Sequence, residues 1–249
     1  MNKTLNTLLA HFTSEQNWWD QFHLAYLMNP TAFIEDCITL NTAPIQLLQH
    51  QRDLVEIYEY HDHVYVASAR QVGLSTINNA FMLWQCVFQH DTSIQIFAQD
   101  DTGACDLRTI RQMYDSLPNQ VRARVKIQLH KTTHGILSFD NGSSITVLST
   151  SFNALHGIPP ADVLHIVRPS MFSTKNLQEV EQALIHPTVH AGGSIQVTDC
   201  INANLELINT HAMFACKIPW NVVPGRDQQF KDDTIRRIGQ QAWNDDYGD

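Results

Sequence analysis

The sequence predicts an α/β fold: a mainly parallel β-sheet with helices on both faces, preceded by an N-terminal helical arm. Three observations lead there. Short β-branched runs at residues 64–67, 94–98, 163–167 and 194–198 alternate with helix-periodic segments, the order that builds parallel sheets through crossover helices. At residues 64–83 one such run passes through a turn of small residues directly into a helical pattern. Hydrophobic residues make up 43% of the 249-residue chain, enough for a sizeable core and too many for disorder.

The arm, residues 1–40, is helix-periodic. Leu5, Leu8, Leu9 and Phe12 make an apolar stripe, and Trp18, Trp19, Phe22, Leu24, Tyr26 and Leu27 an aromatic cluster, which reads as core or docking surface. Asn29-Pro30 breaks the pattern. Residues 41–225 form the expected main domain. It opens with a turn at 41–44 and an amphipathic helix at 45–60, with Leu47, Leu48, Leu54, Ile57 and Tyr58 inward. Helices follow at 75–88 and 103–117, the latter closed by Pro118. Strands at 125–129, 135–139 and 145–148, with the turn Asp140-Asn141-Gly142-Ser143, predict a β-hairpin insertion. A helix at 176–185 separates the last two strands of the sheet. Residues 226–249 read as a polar tail carrying a helix at 229–238.

The formal charge of −9 argues against broad nonspecific nucleic-acid binding, which needs a basic field. No apolar run approaches a membrane span, and the N-terminus lacks a signal peptide's apolar stretch and cleavage site. The five cysteines (Cys37, Cys86, Cys105, Cys200 and Cys216) are scattered without a Cys-x2-Cys pair, as expected of unpaired thiols in a reducing cytoplasm.

The stretch with most chemical content is 68–76. A strand, a turn of bare backbone N–H groups and a helix N-terminus together form a phosphate-binding loop. That motif requires Gly-x4-Gly-Lys-[Ser/Thr]; the frame here reads Ser68-Ala69-Arg70-Gln71-Val72-Gly73-Leu74-Ser75, followed by Thr76. Gly73 and Ser75 stand at the glycine and the magnesium-binding hydroxyl. Leu74 stands where the lysine should reach the phosphates. Gln51, one helix upstream, has an amide able to pair with a purine edge.

In this order the motifs resemble the ATPase domain of the phage large terminase subunit, the motor that packages DNA, from about residue 29 onward. The resemblance rests on Asn29-Pro30, Gln51, Arg70-Gln71-Val72-Gly73-Leu74-Ser75-Thr76, Phe139-Asp140-Asn141-Gly142-Ser143, Gly157, the strand 163–167, Val197-Thr198, and Trp220 with Pro224-Gly225-Arg226-Asp227. It implies a P-loop NTPase-type sheet, a nucleotide held by Gln51, Ser68, Arg70, Gln71, Gly73, Ser75 and Thr76, and a coupling strand bearing Thr198 and Asp199. The departures fall on chemistry. Leu74 replaces the Walker A lysine, His156 the arginine before Gly157, and Val167-Arg168 the Walker B Asp-Glu pair. The chain ends where the family's nuclease domain would begin.

Phosphoryl transfer relies on positioning and charge stabilisation, and three charged groups are replaced, so no hydrolysis is expected and no catalytic residue is assigned. The loop reads somewhat better as a scaffold turn than as a nucleotide site. No cofactor is fixed by the sequence; ATP or ADP with Mg²⁺, held weakly, is what the loop would take. The expected function is a pseudo-ATPase scaffold or regulator that contacts terminase, portal or another phage or host protein in the host cytoplasm. Two alternatives stay open. One is an active packaging ATPase with relocated groups, Arg70 or Arg168 for the lysine and Asp162 or Asp199 for the metal. The other is a nucleotide sensor that binds without hydrolysing.

Thirteen histidines invite a metal, with ligand-like spacings at His61/His63, His130/His134 and His186/His190. No cysteine or carboxylate cluster accompanies them, so surface histidines are expected and no metal site is assigned. His165, in a buried-type strand, is expected to hydrogen-bond locally. No Gly-x-Ser-x-Gly elbow marks a nucleophile. The basic residues Arg108, Arg111, Arg122, Arg124, Lys126 and Lys131 read as a solvated face, with a DNA-tracking edge as the alternative.

Overall fold

The computed structural model describes residues 15–98, 100–131, 135–149, 160–171, 189–202 and 213–248. In chain order its elements are α1 (Glu15–Tyr26), α2 (Pro30–Cys37), β1 (Thr39–Leu40), β2 (Ala43–Pro44), α3 (Gln49–Tyr60), β3 (His63–Ser68), α4 (Leu74–Phe88) and β4 (Ser93–Ala98). They continue with α5 (Asp100–Ser116), α6 (Asn119–Arg124), β5 (Ile127–Lys131), β6 (Ile136–Phe139), β7 (Ser144–Ser149), β8 (Ala161–Val167), β9 (Val189–Cys200), β10 (Phe214–Ile218), α7 (Gln228–Ile238) and α8 (Gln240–Asp246). The fold is α/β, with an eight-stranded, mainly parallel sheet in the order β10-β3-β9-β8-β4-β7-β6-β5.

The chain divides into two compact units. One comprises residues 1–55, 75–93 and 104–146, the other residues 56–74, 94–103 and 147–249. In the first, Asn29 caps α2 by accepting from the Ala32 N–H at 3.0 Å, with Pro30 at the first helical position. The Asn-Pro step therefore starts a helix. Trp18, Phe22, Tyr26 and Phe33 are buried, and Phe88 stacks on Phe22 and meets Phe33 edge-on. Leu24 and Met28, by contrast, point outward. The α4 helix is buried continuously from Ile77 to Phe88, including the polar side chains of Asn78, Asn79 and Gln85. Asn79 donates to Asp106, and Trp84 Nε1 to the Tyr26 carbonyl.

The hairpin insertion is present as antiparallel β5, β6 and β7. Its turn is secured by Asn141, whose amide donates to the Cys86 carbonyl at the end of α4. Some expected boundaries move. The helix predicted from residue 45 begins at Gln49, because residues 39–40 and 43–44 pair across a turn whose Asn41 and Thr42 both have positive φ. The strand expected at 125–129 starts at Ile127, after the unforeseen short helix α6.

In the second unit, β10, β3, β9, β8 and β4 are all parallel. β3 and β8 are buried along nearly their whole length, which is why they read as continuous apolar runs. The strand expected at 194–198 extends over Val189–Cys200, so Asp199 lies within it rather than just after it. β10 was not anticipated, although Phe214, Cys216 and Ile218 carry a two-residue period. The C-terminal segment, read as polar, contains an aromatic core. Trp243 is fully buried and Tyr247 nearly so, packed with Trp220 and Phe230. The leucine stripe of residues 5–12, the helix expected at 176–185, His134, His156, Gly157 and His186 lie outside the described residues.

Candidate functional site

Three neighbouring parallel strands, β3, β9 and β8, end on the same edge of the sheet, where ligands bind in open α/β folds. The register pairs Ala67 with Asp199, Ser68 with Cys200, and Val167 with Thr198. This brings Ser68, the loop at 69–73, Thr198, Asp199, Val167 and Arg168 to one carboxyl edge. The loop turns twice through left-handed backbone, with φ of 59° at Gln71 and 83° at Gly73. Glycine meets that demand at 73 without strain; Gln71 does not.

What holds the loop comes from far away in sequence. The Ala69 N–H donates to the Ile218 carbonyl at the end of β10. The Arg70 N–H donates to the Asp246 carbonyl, and the Arg70 guanidinium to the Asp246 carboxylate, each at 2.7 Å. Arg226 donates to the carbonyls of Arg70 (3.0 Å) and Gln71 (2.9 Å) while its guanidinium lies 5.0 Å from the Phe230 ring centre. The predicted phosphate contact Arg70 is thus ion-paired within the protein.

Asp199 is buried beside this loop and accepts from the Cys200 N–H at 2.7 Å and from the N–H and hydroxyl of Ser170. Burial raises its carboxyl above the usual range, against those hydrogen bonds and the nearby Arg168 charge, which lower it. The Asp199 charge in turn adds to burial in raising the Tyr65 phenol. Arg168 follows Val167 with left-handed backbone (φ 53°); its N–H donates to the Thr198 carbonyl at 2.6 Å, and the residue is exposed. Val167 offers no ligand atom. Asp162 stands near the start of β8, the end away from Val167.

The remaining predicted residues have local roles or sit on continuous helix. Leu74, Ser75 and Thr76 are the first three residues of α4. Gln51, in the first turn of α3, is buried and accepts from the Leu48 N–H at 2.9 Å, which closes the helix start. Among the arginines of the basic set, Arg108 donates to the Cys105 sulfur, Arg111 pairs with Asp115, Arg122 donates to the Leu117 carbonyl, and Arg124 lies over Trp19. Among the described residues no group of three or more histidine, cysteine or acidic side chains is arranged to hold a metal, and no helix is long and apolar enough to cross a membrane. His61 stacks on Phe214 at 4.0 Å, and His165 is buried and hydrogen-bonded to Gln196. Sequence reasoning missed Ser170 and Asp246, which carry no local signal.

No family model matches this sequence, and no curated protein matches it significantly. Solved structures do match. The HK97 bacteriophage large terminase superposes with a TM-score of 0.67 at 14% identity, over 88% of this chain and 53% of that one. The large terminase ATPase domain of Thermus phage P74-26 gives 0.61 at 12% identity, over 83% and 93%. The large terminase of a thermophilic bacteriophage in complex with ADP gives 0.60 at 8% identity, over 80% and 52%. The chain therefore spans about half of the HK97 and thermophilic-phage large terminase chains and nearly all of the Thermus phage ATPase domain. Its fold is that of a phage large terminase ATPase domain.

Proposed function

We propose that this chain is a terminase-like protein that keeps the ATPase fold without hydrolysing ATP, and acts as a scaffold or regulator through protein–protein contacts. One observation supports the reading above the others. The three positions where the terminase pattern places a lysine and two carboxylates hold Leu74, Val167 and Arg168. Leucine cannot neutralise a γ-phosphate, valine cannot hold a hydrated metal, and arginine has the wrong sign to orient water. Loss of a single transition-state contact commonly lowers a rate by about 10²–10³, and the three losses act on one step. The partner in this reading is a terminase subunit, a portal or another phage or host protein, met in the host cytoplasm.

A second reading, an active ATPase with a relocated metal ligand, is favoured by Asp199 at the carboxyl edge next to the loop. Against it, both Asp199 oxygens already accept hydrogen bonds from Ser170. Mg²⁺-dependent ATP turnover, measured with and without DNA, separates the readings. Turnover abolished by both Ser75→Ala and Asp199→Asn would reject the pseudo-ATPase. Calorimetry with ATP and ADP on the wild type and Gly73→Asp decides whether the loop holds nucleotide at all: binding lost in the variant identifies a sensor, and none at millimolar nucleotide leaves the scaffold.

A further inference from the structure

The loop at 69–73 is ordered by the protein's own C-terminal segment, and the way it is held bears on what else can bind there. Asp246 is the last residue of α8, where helix carbonyls lack intrahelical partners and the helix dipole is negative. Arg70 answers both needs. Its N–H satisfies the Asp246 carbonyl and its guanidinium meets the Asp246 carboxylate, both at 2.7 Å. Arg226 clamps the next two loop carbonyls from a seat between Phe230 and Tyr247, whose ring centres lie 5.0 and 5.9 Å from its guanidinium. Tyr247 stacks on the fully buried Trp243, so the clamp is anchored in the C-terminal core.

We propose that Asp246 is an internal competitor for this loop: its carboxylate occupies Arg70 in place of an anionic polyphosphate ligand. Arg70 is the cation within the loop, and its side chain is about half exposed, as is suited to exchanging one anionic partner for another. A carboxylate tied to the same chain acts at high effective concentration. It therefore suppresses a weak polyphosphate contact that a loop without the lysine could not otherwise prevent. The segment from Arg226 to Tyr247 becomes an autoinhibitory element, and anything that pulls α8 away exposes Arg70.

The inference rests on reading residues 68–75 as a phosphate-type loop and not on the absence of hydrolysis, so turnover by the wild type would overturn the proposed function and leave this competition standing. The test is calorimetry on the full chain with pyrophosphate, ADP and ATP, each with Mg²⁺, comparing wild type with Asp246→Asn. That variant keeps the backbone carbonyl that Arg70 uses. Exposed ion pairs have small energies, so an affinity gain of about three- to fivefold is expected. A gain for pyrophosphate as well as ATP assigns the contact to phosphate; a gain for ATP and ADP alone assigns it to a nucleoside polyphosphate. The gain should vanish in Arg70→Ala/Asp246→Asn. Equal affinity in wild type and Asp246→Asn, no binding by either, a gain that survives the double variant, or an equal gain in the neighbouring Asp245→Asn would each overturn the proposal.

Discussion

The carboxylate of Asp199 takes both donors of Ser170, the N–H at 3.1 Å and the hydroxyl, across 29 residues of chain. This joins the end of β9 to the 3₁₀ turn Pro169–Met171 that follows β8. Ser170→Ala removes one bond to a charged acceptor and should lower stability by about 1 kcal/mol. Asp199→Ala strands the Ser170 and Cys200 N–H groups as well and should lower it by about 3 kcal/mol. Urea denaturation midpoints measure both. Equal losses would mean that Ser170 alone holds the turn.

His165 sits in the middle of β8, 3% exposed, and burial lowers its pKa from 6.5 to about 4. The unfolded chain therefore binds a proton that the folded chain refuses between those values. The stability associated with the neutral ring is fully present above about pH 6.5 and is lost as pH falls toward 4, to a limit on the order of 3 kcal/mol. Unfolding free energies at pH 7, 5.5 and 4.5 should fall more steeply for wild type than for His165→Gln. Parallel curves would show that His165 is hydrated in the fold.

Trp243 has no exposed surface and touches Trp220, Phe230 and Tyr247. Trp243→Ala should destabilise by about 3–5 kcal/mol, whereas Tyr60→Ser, at a side chain 81% exposed, should stay within about 0.5 kcal/mol. If thermal melts show a small loss for Trp243→Ala, the C-terminal segment is an appendage rather than part of the second unit's core.

A Cβ added at Gly103 would stand 2.3 Å from Val147 Cγ1. Gly103→Ala should therefore be destabilising by about 1–3 kcal/mol despite alanine's better helix propensity. Val147→Ala in the same chain should recover part of that loss. A Gly103→Ala protein as stable as wild type would mean that α5 shifts freely against β7.

Much of the fold was legible because its signals are local. The runs at 64–67, 94–98 and 163–167 are largely apolar because parallel strands are buried on both faces, and Asp140-Asn141-Gly142 marks the hairpin turn because Gly142 takes a positive φ. β10 stayed hidden since it is five residues long with only Ile218 buried, and α6 since six residues carry too little periodicity to detect. At the candidate site the loop frame, Thr198 and Asp199 were readable. The partners of Arg70 and Asp199 were not.

The sequence by itself determined most of the alternating strands and helices of the sheet, the glycine at 73 in the loop frame, and which side chains stand at 74, 167 and 168. These follow from residue identity and short-range sterics. Only the tertiary structure decided that Arg70 is paired with Asp246, 176 residues away, that Arg226 clamps the loop carbonyls, that Gln51 closes its own helix, and that Asp199 is committed to Ser170. Hydrogen bonds and ion pairs between distant segments need only one donor and one acceptor. They leave no periodicity or spacing in the chain, and folding alone selects which pairs meet.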